Sequence, residues 1–247
     1  MGERTSHPPG TFSWAELATS DADAAKTFYT QLFGWEYEDN PTGPDPDAPV
    51  YSMAMRDGHN VAALFRDDDQ PPHWNCYVTV ESVDATAQKA VDGGGKLMHE
   101  AFDVLDVGRM AVIADPAGAT LCLWEPRAHI GAKLVNSHGS MTWNDLVTPD
   151  AETAMDFYGR LFGWTFDEPQ AHGYRNIVNG DRGNGGIFPM EGPSNWMPYF
   201  GHEDVDRLVG EVETVHNGPM DLNGGRIAVL GDPQGAVFAV WTGHYDD

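Results

Sequence analysis

FSWAELATSDADAAKTFYTQLFGW, residues 12–35, holds a strand, a turn and an amphipathic helix in one short stretch. Trp14-Ala15-Glu16-Leu17-Ala18 alternates, which puts Ala15 and Leu17 on one face and Trp14, Glu16 and Ala18 on the other. Ser20 or Asp21 can cap the helix, and Asp21 and Asp23 suit its positive end. Phe28, Tyr29, Leu32 and Phe33 form the apolar stripe, and Gly34 stops the helix.

The stretch returns 129 residues later as MTWNDLVTPDAETAMDFYGRLFGW, residues 141–164. Trp14, Leu17, Asp21, Phe28-Tyr29 and Leu32-Phe33-Gly34-Trp35 match Trp143, Leu146, Asp150, Phe157-Tyr158 and Leu161-Phe162-Gly163-Trp164. A second block, GRMAVIADPAG from Gly108, returns as GRIAVLGDPQG from Gly225, now at an offset of 117. Order is kept and spacing shrinks, so a whole domain is duplicated and the second copy has lost loop residues.

Between these landmarks, Glu36–Asp39 begins a strand and Asn40–Pro49 is a Pro/Gly/Asp loop. Tyr51–Met55 and Asn60–Phe65 read as a hairpin across Asp57-Gly58. The pattern restarts with a strand at Trp74–Val80, a helix at Val83–Val91 ended by Gly93-Gly94-Gly95, and a strand at Lys96–Phe102. Arg109–Ala114 and Thr120–Trp124 close the half as a hairpin. Each half is thus strand–helix–three strands, twice, with Val205–Val215 standing where the first half has its Val83 helix. The expected division is a first domain over 1–126, a linker over 127–138 and a second domain over 139–247. The lead-in His7-Pro8-Pro9-Gly10 reads as disordered.

Lys plus Arg is 14 against 38 Asp plus Glu, a net charge of −24 with no basic patch. Nucleic acid and anionic membrane are therefore not expected partners. Cys76 and Cys122 are the only cysteines, which is no disulfide framework and suits a cytoplasmic location. No apolar run is long enough to span a bilayer. The glycines at 93–95 and 183–186 lack the setting of a phosphate-binding loop.

The repeated unit, its FYTQLFGW helix end and the closing DPAGATLCLWEP hairpin resemble the vicinal oxygen chelate superfamily. That superfamily contains glyoxalases, bleomycin-resistance proteins and extradiol dioxygenases. The tandem form is similar to actinobacterial proteins described as glyoxalase-like or as hydroxylases. The resemblance implies an α+β fold of two domains, each a pair of βαβββ units forming a cupped mixed sheet with helices outside. It also implies metal ligands on the cup side of the first and last strands. Counted from the helix-opening and DPxG aspartates, those positions are Trp14, Asn75 and Cys122 in the first cup and Trp143, Met197 and Ala239 in the second. Imidazole and carboxylate donors are missing there, so no cofactor is expected and a divalent metal is disfavoured. His59, His73, His99, His129, His138, His172 and His202 show no paired spacing and read as solvated. Cys76 reads as core, and Cys122 has no neighbouring His or Lys to activate it.

Alternation places Trp14, Glu16, Asn75, Tyr77, Cys122 and Trp124 on the face of the first cup. Trp143, Asp145, Met197, Tyr199 and Trp241 fall on that of the second. Aromatic walls around one carboxylate suit a small aromatic or cationic ligand. A carboxyl among tryptophans should have a raised pKa, which makes Glu16 the candidate acid or base. The first cup keeps more polar groups and is expected to be the better site. The expected function is small-molecule binding with a degenerate metal site, for an aromatic metabolite or drug in secondary metabolism or tolerance. The alternatives are a hydroxylase or dioxygenase, a glyoxalase-like lyase, or an interaction protein whose cups are filled. The expected state is a monomer or weak dimer, because one chain carries all four units.

Overall fold

The structure is a computed structural model that describes residues 2–43, 48–222 and 224–245. Its first half contains β1 (Phe12–Thr19), α1 (Ala22–Phe33), β2 (Glu36–Pro41), β3 (Val50–Arg56) and β4 (His59–Arg66), then β5 (His73–Thr79), α2 (Val83–Asp92), β6 (Lys96–Val104), β7 (Gly108–Ala114) and β8 (Thr120–Pro126). These strands form one sheet in the order β2-β3-β4-β1-β5-β8-β7-β6. The second half contains β9 (Met141–Thr148), α3 (Ala151–Phe162), β10 (Thr165–Phe166), β11 (Arg175–Asn179) and β12 (Arg182–Pro189), then β13 (Asn195–Gly201), α4 (Val205–Leu208), β14 (Thr214–Leu222), β15 (Gly225–Gly231) and β16 (Val237–Thr242). Its sheet repeats the order, β10-β11-β12-β9-β13-β16-β15-β14. The fold is therefore α+β, two mixed eight-stranded sheets from tandem βαβββ pairs. Of the Asn40–Pro49 loop, residues 44–47 lie outside the described residues. Among the described residues no helix is long and apolar enough to cross a membrane.

In each sheet the first strand sits at the centre. β1 runs parallel to β4 and antiparallel to β5, and β9 does the same with β12 and β13. The helices begin and end as their sequences dictate. Asp21 accepts from the Ala24 amide and Asp150 from that of Thr153, while Gly34 and Gly163 close α1 and α3 at φ +66° and +79°. Asp57 and Gly58, at φ +51° and +77°, make the tight turn of the β3–β4 hairpin.

The two sheets share one core, and the repeated helix motif builds it. Ala25, Tyr29, Leu32 and Phe33 of α1 are buried. Phe33 packs on Phe200 and Phe238 of the other half, with ring centroids 5.4 and 6.2 Å apart. The Tyr29 hydroxyl donates to Asp232 of the second half's DPxG turn at 3.1 Å, and the Tyr158 hydroxyl donates to Asp115 of the first half's turn at 3.2 Å. The indoles of Trp74 and Trp196 donate to those same hydroxyls. The Trp35 indole donates to the Gly139 carbonyl, and the Trp164 indole to that of Gly10. The motifs most visible as a repeat are thus a reciprocal lock between halves.

Two segments depart from the sequence reading. The lead-in is ordered, because it belongs to the repeat. Gly10 and Gly139 both have positive φ, and their amides bond the Thr79 and Gly201 carbonyls at 2.8 and 2.9 Å. Upstream, Glu3 bridges Leu134, the Arg4 amide donates to Lys133 O, and buried His7 donates through Nε2 to Ala132 O at 2.8 Å. The second departure is the Val205–Val215 stretch, which holds only the single turn α4 before β14 begins. Five residues after its first valine stands Gly210, where α2 has Gln88, and the alanines that carry α2 are absent.

Candidate functional site

Strand register sets the two cups. Across the first sheet Trp14 pairs with Tyr77 and Tyr77 with Cys122, while Glu16 pairs with Asn75. Across the second, Trp143 pairs with Tyr199 and Tyr199 with Ala239, while Asp145 pairs with Met197. Residues opposite one another point to the same side, so each row shares the face turned away from the helices.

In the first cup the Glu16 carboxyl is held by two phenols. Tyr77 donates to Oε1 at 2.5 Å and Tyr51 to Oε2 at 2.9 Å, and the Trp14 indole donates to the Tyr51 hydroxyl at 3.1 Å. The second cup repeats the arrangement on Asp145. Tyr199 donates to Oδ2 at 2.5 Å, and Tyr174 and the Trp143 indole each reach Oδ1 at 3.0 Å. Sequence reading missed Tyr51 and Tyr174. Their signal was the repeat itself, since each opens the third stretch of its unit, YSMAM and YRNIV. Small residues let these phenols reach the central strand. Opposite Glu16 is Ala63, and opposite the shorter Asp145 is Gly186, where a Cβ would lie 2.0 Å from the Tyr174 hydroxyl.

No Lys or Arg is among these carboxyls' hydrogen-bond partners. Burial raises both pKa values against the pull of the phenols, with Asp145 pushed up to about 6. Burial also pushes the Cys122 thiol well up, so it is no thiolate nucleophile. Trp124 and Trp241 stand over Gly108 and Gly225, where a Cβ would come within 2.2 and 2.3 Å of the indole rings. This is the physical reason for the glycine in each GR-AV block.

The cups differ at their tryptophans rather than at their carboxyls, since Glu16 and Asp145 are 8 % and 4 % exposed while Trp14 and Trp124 are buried. The 127–138 stretch does more than link the halves, because it crosses the first cup. The amides of Arg127 and His129 bond Val107 O, those of Ala132 and Lys133 bond Ser13 O and Asn60 O, and the Trp124 indole donates to His129 O. The His129 ring lies perpendicular to Trp14 with centroids 4.7 Å apart and 5.8 Å from Trp124, and burial lowers its pKa to about 4. His129 is therefore not solvated as expected. Neither is His202, which is 8 % exposed and lies 5.1 Å from the His138 ring. In the second cup Met197, Tyr199, Ile227 and Ala239 make a separate small cluster, and Trp143 and Trp241 around it are only partly buried.

The positions that carry metal ligands in the resembled family hold few imidazole or carboxylate donors here. The ligand positions of the resembled family hold Trp14, Asn75 and Cys122 in one cup and Trp143, Met197 and Ala239 in the other. Each remaining carboxylate already takes phenol hydrogen bonds on both oxygens. Among the described residues no group of three or more His, Cys, Asp or Glu is placed to hold a metal ion.

The sequence model of the Glyoxalase/Bleomycin resistance protein/Dioxygenase superfamily matches residues 11–123. "Putative glyoxylase CFP32" of Mycobacterium tuberculosis is 42 % identical, over 97 % of each chain. "Anthracycline biosynthesis protein DnrV" of Streptomyces peucetius is 33 % identical, over 96 % of this chain and 94 % of that one. The chain belongs to the glyoxalase/bleomycin resistance/dioxygenase superfamily. Solved structures share the fold at low identity. The Mn(II)-bound glyoxalase from Novosphingobium aromaticivorans has a TM-score of 0.67 at 16 % identity, over 95 % of this chain and 82 % of that one. An extradiol ring-cleaving dioxygenase from B. fuscum also has 0.67, at 15 % identity, over 98 % and 75 %.

Proposed function

We propose that the protein binds a flat, hydroxyl- or amine-bearing aromatic molecule in the second cup, without a metal. The observation that carries this reading is Asp145. A buried carboxyl with no cationic hydrogen-bond partner accepts from the Trp143 indole, and Trp143 and Trp241 are partly exposed around the same small cluster. A carboxylate offers about four acceptor positions, and Asp145 receives three donors, two of them on Oδ1. Oδ2, which takes Tyr199 alone, thus keeps one unused acceptor position for a ligand O–H or N–H that reaches past the partly exposed indoles. Relatives named for anthracycline biosynthesis support the ligand class, since anthracyclines are flat fused-ring phenols. The first cup, richer in polar groups, is shut by His129, and this moves the proposal to the second.

The test is a titration of tryptophan fluorescence with a hydroxyanthraquinone, with and without a chelator. Trp143→Ala and Asp145→Asn should each weaken binding by about 1–3 kcal/mol, as expected for a lost stacking contact or charged hydrogen bond. Unchanged affinity in both variants overturns the placement. Binding abolished by the chelator, together with stoichiometric metal in elemental analysis, overturns the metal-free reading. A second reading, proton transfer by Asp145, is favoured by its pKa near 6. It requires turnover that Asp145→Asn abolishes while binding survives.

A further inference from the structure

The first cup contains a ring that belongs to neither of its strands' repeats. His129 lies perpendicular to Trp14 with centroids 4.7 Å apart and 5.8 Å from Trp124. Its Nε2 is buried with no hydrogen-bond partner. That is an unfavourable place for a neutral imidazole nitrogen, and no packing need explains it, because an apolar ring would fill the same space. The second half offers a comparison. Five residues beyond Trp124 is His129, and five beyond the matching Trp241 is Asp246, which has no ring and lies outside the described residues. Among the described residues no imidazole faces Trp143 or Trp241 as His129 faces Trp14 and Trp124.

The segment carrying His129 is held by a few hydrogen bonds on either bank, with the Trp124 indole donating to His129 O at 2.9 Å and His7 and the Arg4 amide donating to Ala132 O and Lys133 O. On one bank the amides of Arg127 and His129 share the Val107 carbonyl. On the other, Ala132 and Lys133 bond Ser13 and Asn60. Between them Gly131 has φ +102°, and a Cβ there would come within 2.4 Å of the Ser13 carbonyl oxygen. The strap contributes no strand to the sheet, and its residues 127, 128 and 133 face solvent. Beneath it are the Glu16 carboxyl, the Tyr51 and Tyr77 hydroxyls and the Cys122 thiol.

We propose that the first cup is a latent site for a small flat heterocycle with a hydrogen-bonding nitrogen. The chain's own His129 occupies it, and displacement of the strap over residues 127–133 opens it. The ligand takes the place of the imidazole between Trp14 and Trp124 and meets the phenol–carboxyl cage that His129 leaves untouched. This site is independent of the second cup, and the two are read by different residues.

Cys122 reports opening and Cys76 reports unfolding. Cys122 lies on the cup face of its sheet, while Cys76 lies on the opposite face of β5, in the core. Iodoacetamide labelling followed by peptide mass spectrometry measures both under native conditions. In the unaltered protein Cys122 should label at least tenfold faster than Cys76, and equal rates overturn the proposal. His129→Gly should speed Cys122 labelling tenfold or more without changing Cys76. Millimolar imidazole should slow it again by refilling the cup. Gly131→Ala, which keeps the ring but collides with Ser13, should also speed Cys122 alone. Acceleration of both cysteines together, or folded variants in which Cys122 stays slow or ignores imidazole, overturns it.

Discussion

Asp145 and Glu16 are acids held by phenols and indoles rather than by cations, and this fixes the sign of their pH dependence. A carboxyl whose folded pKa lies above its unfolded value binds its proton more tightly in the native state. Stability from Asp145 is therefore fully present below its unfolded pKa near 4 and is lost as pH rises through about 6. The loss approaches about 3 kcal/mol, an order-of-magnitude figure. Asp145→Asn removes this titration. Urea unfolding of both proteins from pH 4 to pH 7.5 should show the variant gaining on the parent as pH rises, and a constant difference would contradict the raised pKa. Tyr174→Phe removes a donor to Oδ1 and the acceptor of one Trp143 bond. It should lower stability by about 1–3 kcal/mol and push the Asp145 titration to still higher pH, which NMR of the carboxyl carbon would follow.

At the scale of elements, the glycine before each arginine of the GR-AV blocks is decided by the hairpin strand beside it. Gly108 and Gly225 lie beneath the indoles of Trp124 and Trp241. Gly108→Ala must drive Trp124 away from the strap contact and should cost about 1–3 kcal/mol by overpacking. Gly225→Ala should cost at least as much, because its Cβ also comes within 2.6 Å of the Thr242 carbonyl oxygen, which an outward swing of Trp241 does not relieve. A clearly smaller loss for Gly225→Ala in chemical denaturation would contradict this. The elements themselves were largely legible. The βαβββ pattern, the caps at Asp21 and Asp150 and the Asp57-Gly58 turn follow from local periodicity and backbone preference. Alternation also put Trp14 with Glu16, and Trp143 with Asp145, on one face of their central strands, because neighbours at i and i+2 share a face. Tyr51 and Tyr174 lay beyond that reasoning, since each reaches its carboxyl across an intervening strand, β4 or β12. That reach depends on Ala63 or Gly186 being small, a property of sheet register. His129 was illegible for a similar reason. Nothing local distinguishes a strap that folds over a cup from a linker in solvent, and Gly210 ended a helix that periodicity alone would have extended.

At the scale of the molecule, the duplicated motifs are spent on joining the copies. Tyr29 reaches Asp232 while Tyr158 reaches Asp115, and Trp35 and Trp164 cross to the glycines that open the opposite sheets. The chain thus carries within itself the twofold-like interface that a homodimer of single units would need, which leads us to propose a monomer in solution. Sedimentation showing a stable tetramer would contradict it. The lock also sets cooperativity. Tyr29, Phe33 and Trp35 are each at most 1 % exposed in the full chain, and Phe33 owes this partly to Phe200 and Phe238. A fragment of residues 1–126 would bare that surface and leave Asp115, buried in the intact protein, without its tyrosine. It should not hold a native fold alone, and a well-dispersed amide spectrum from the fragment would refute this. The full chain should unfold in one transition, with far-ultraviolet dichroism and tryptophan fluorescence coincident and calorimetric and van't Hoff enthalpies equal. Tyr29→Phe and Tyr158→Phe break the lock at opposite ends, each leaving a carboxylate oxygen short of a donor, and each should lower stability by about 1–3 kcal/mol. Because both contacts support a single interface, each variant should shift the whole transition without splitting it. A biphasic melt in either one would mean that the halves fold independently and that the shared core couples them only weakly.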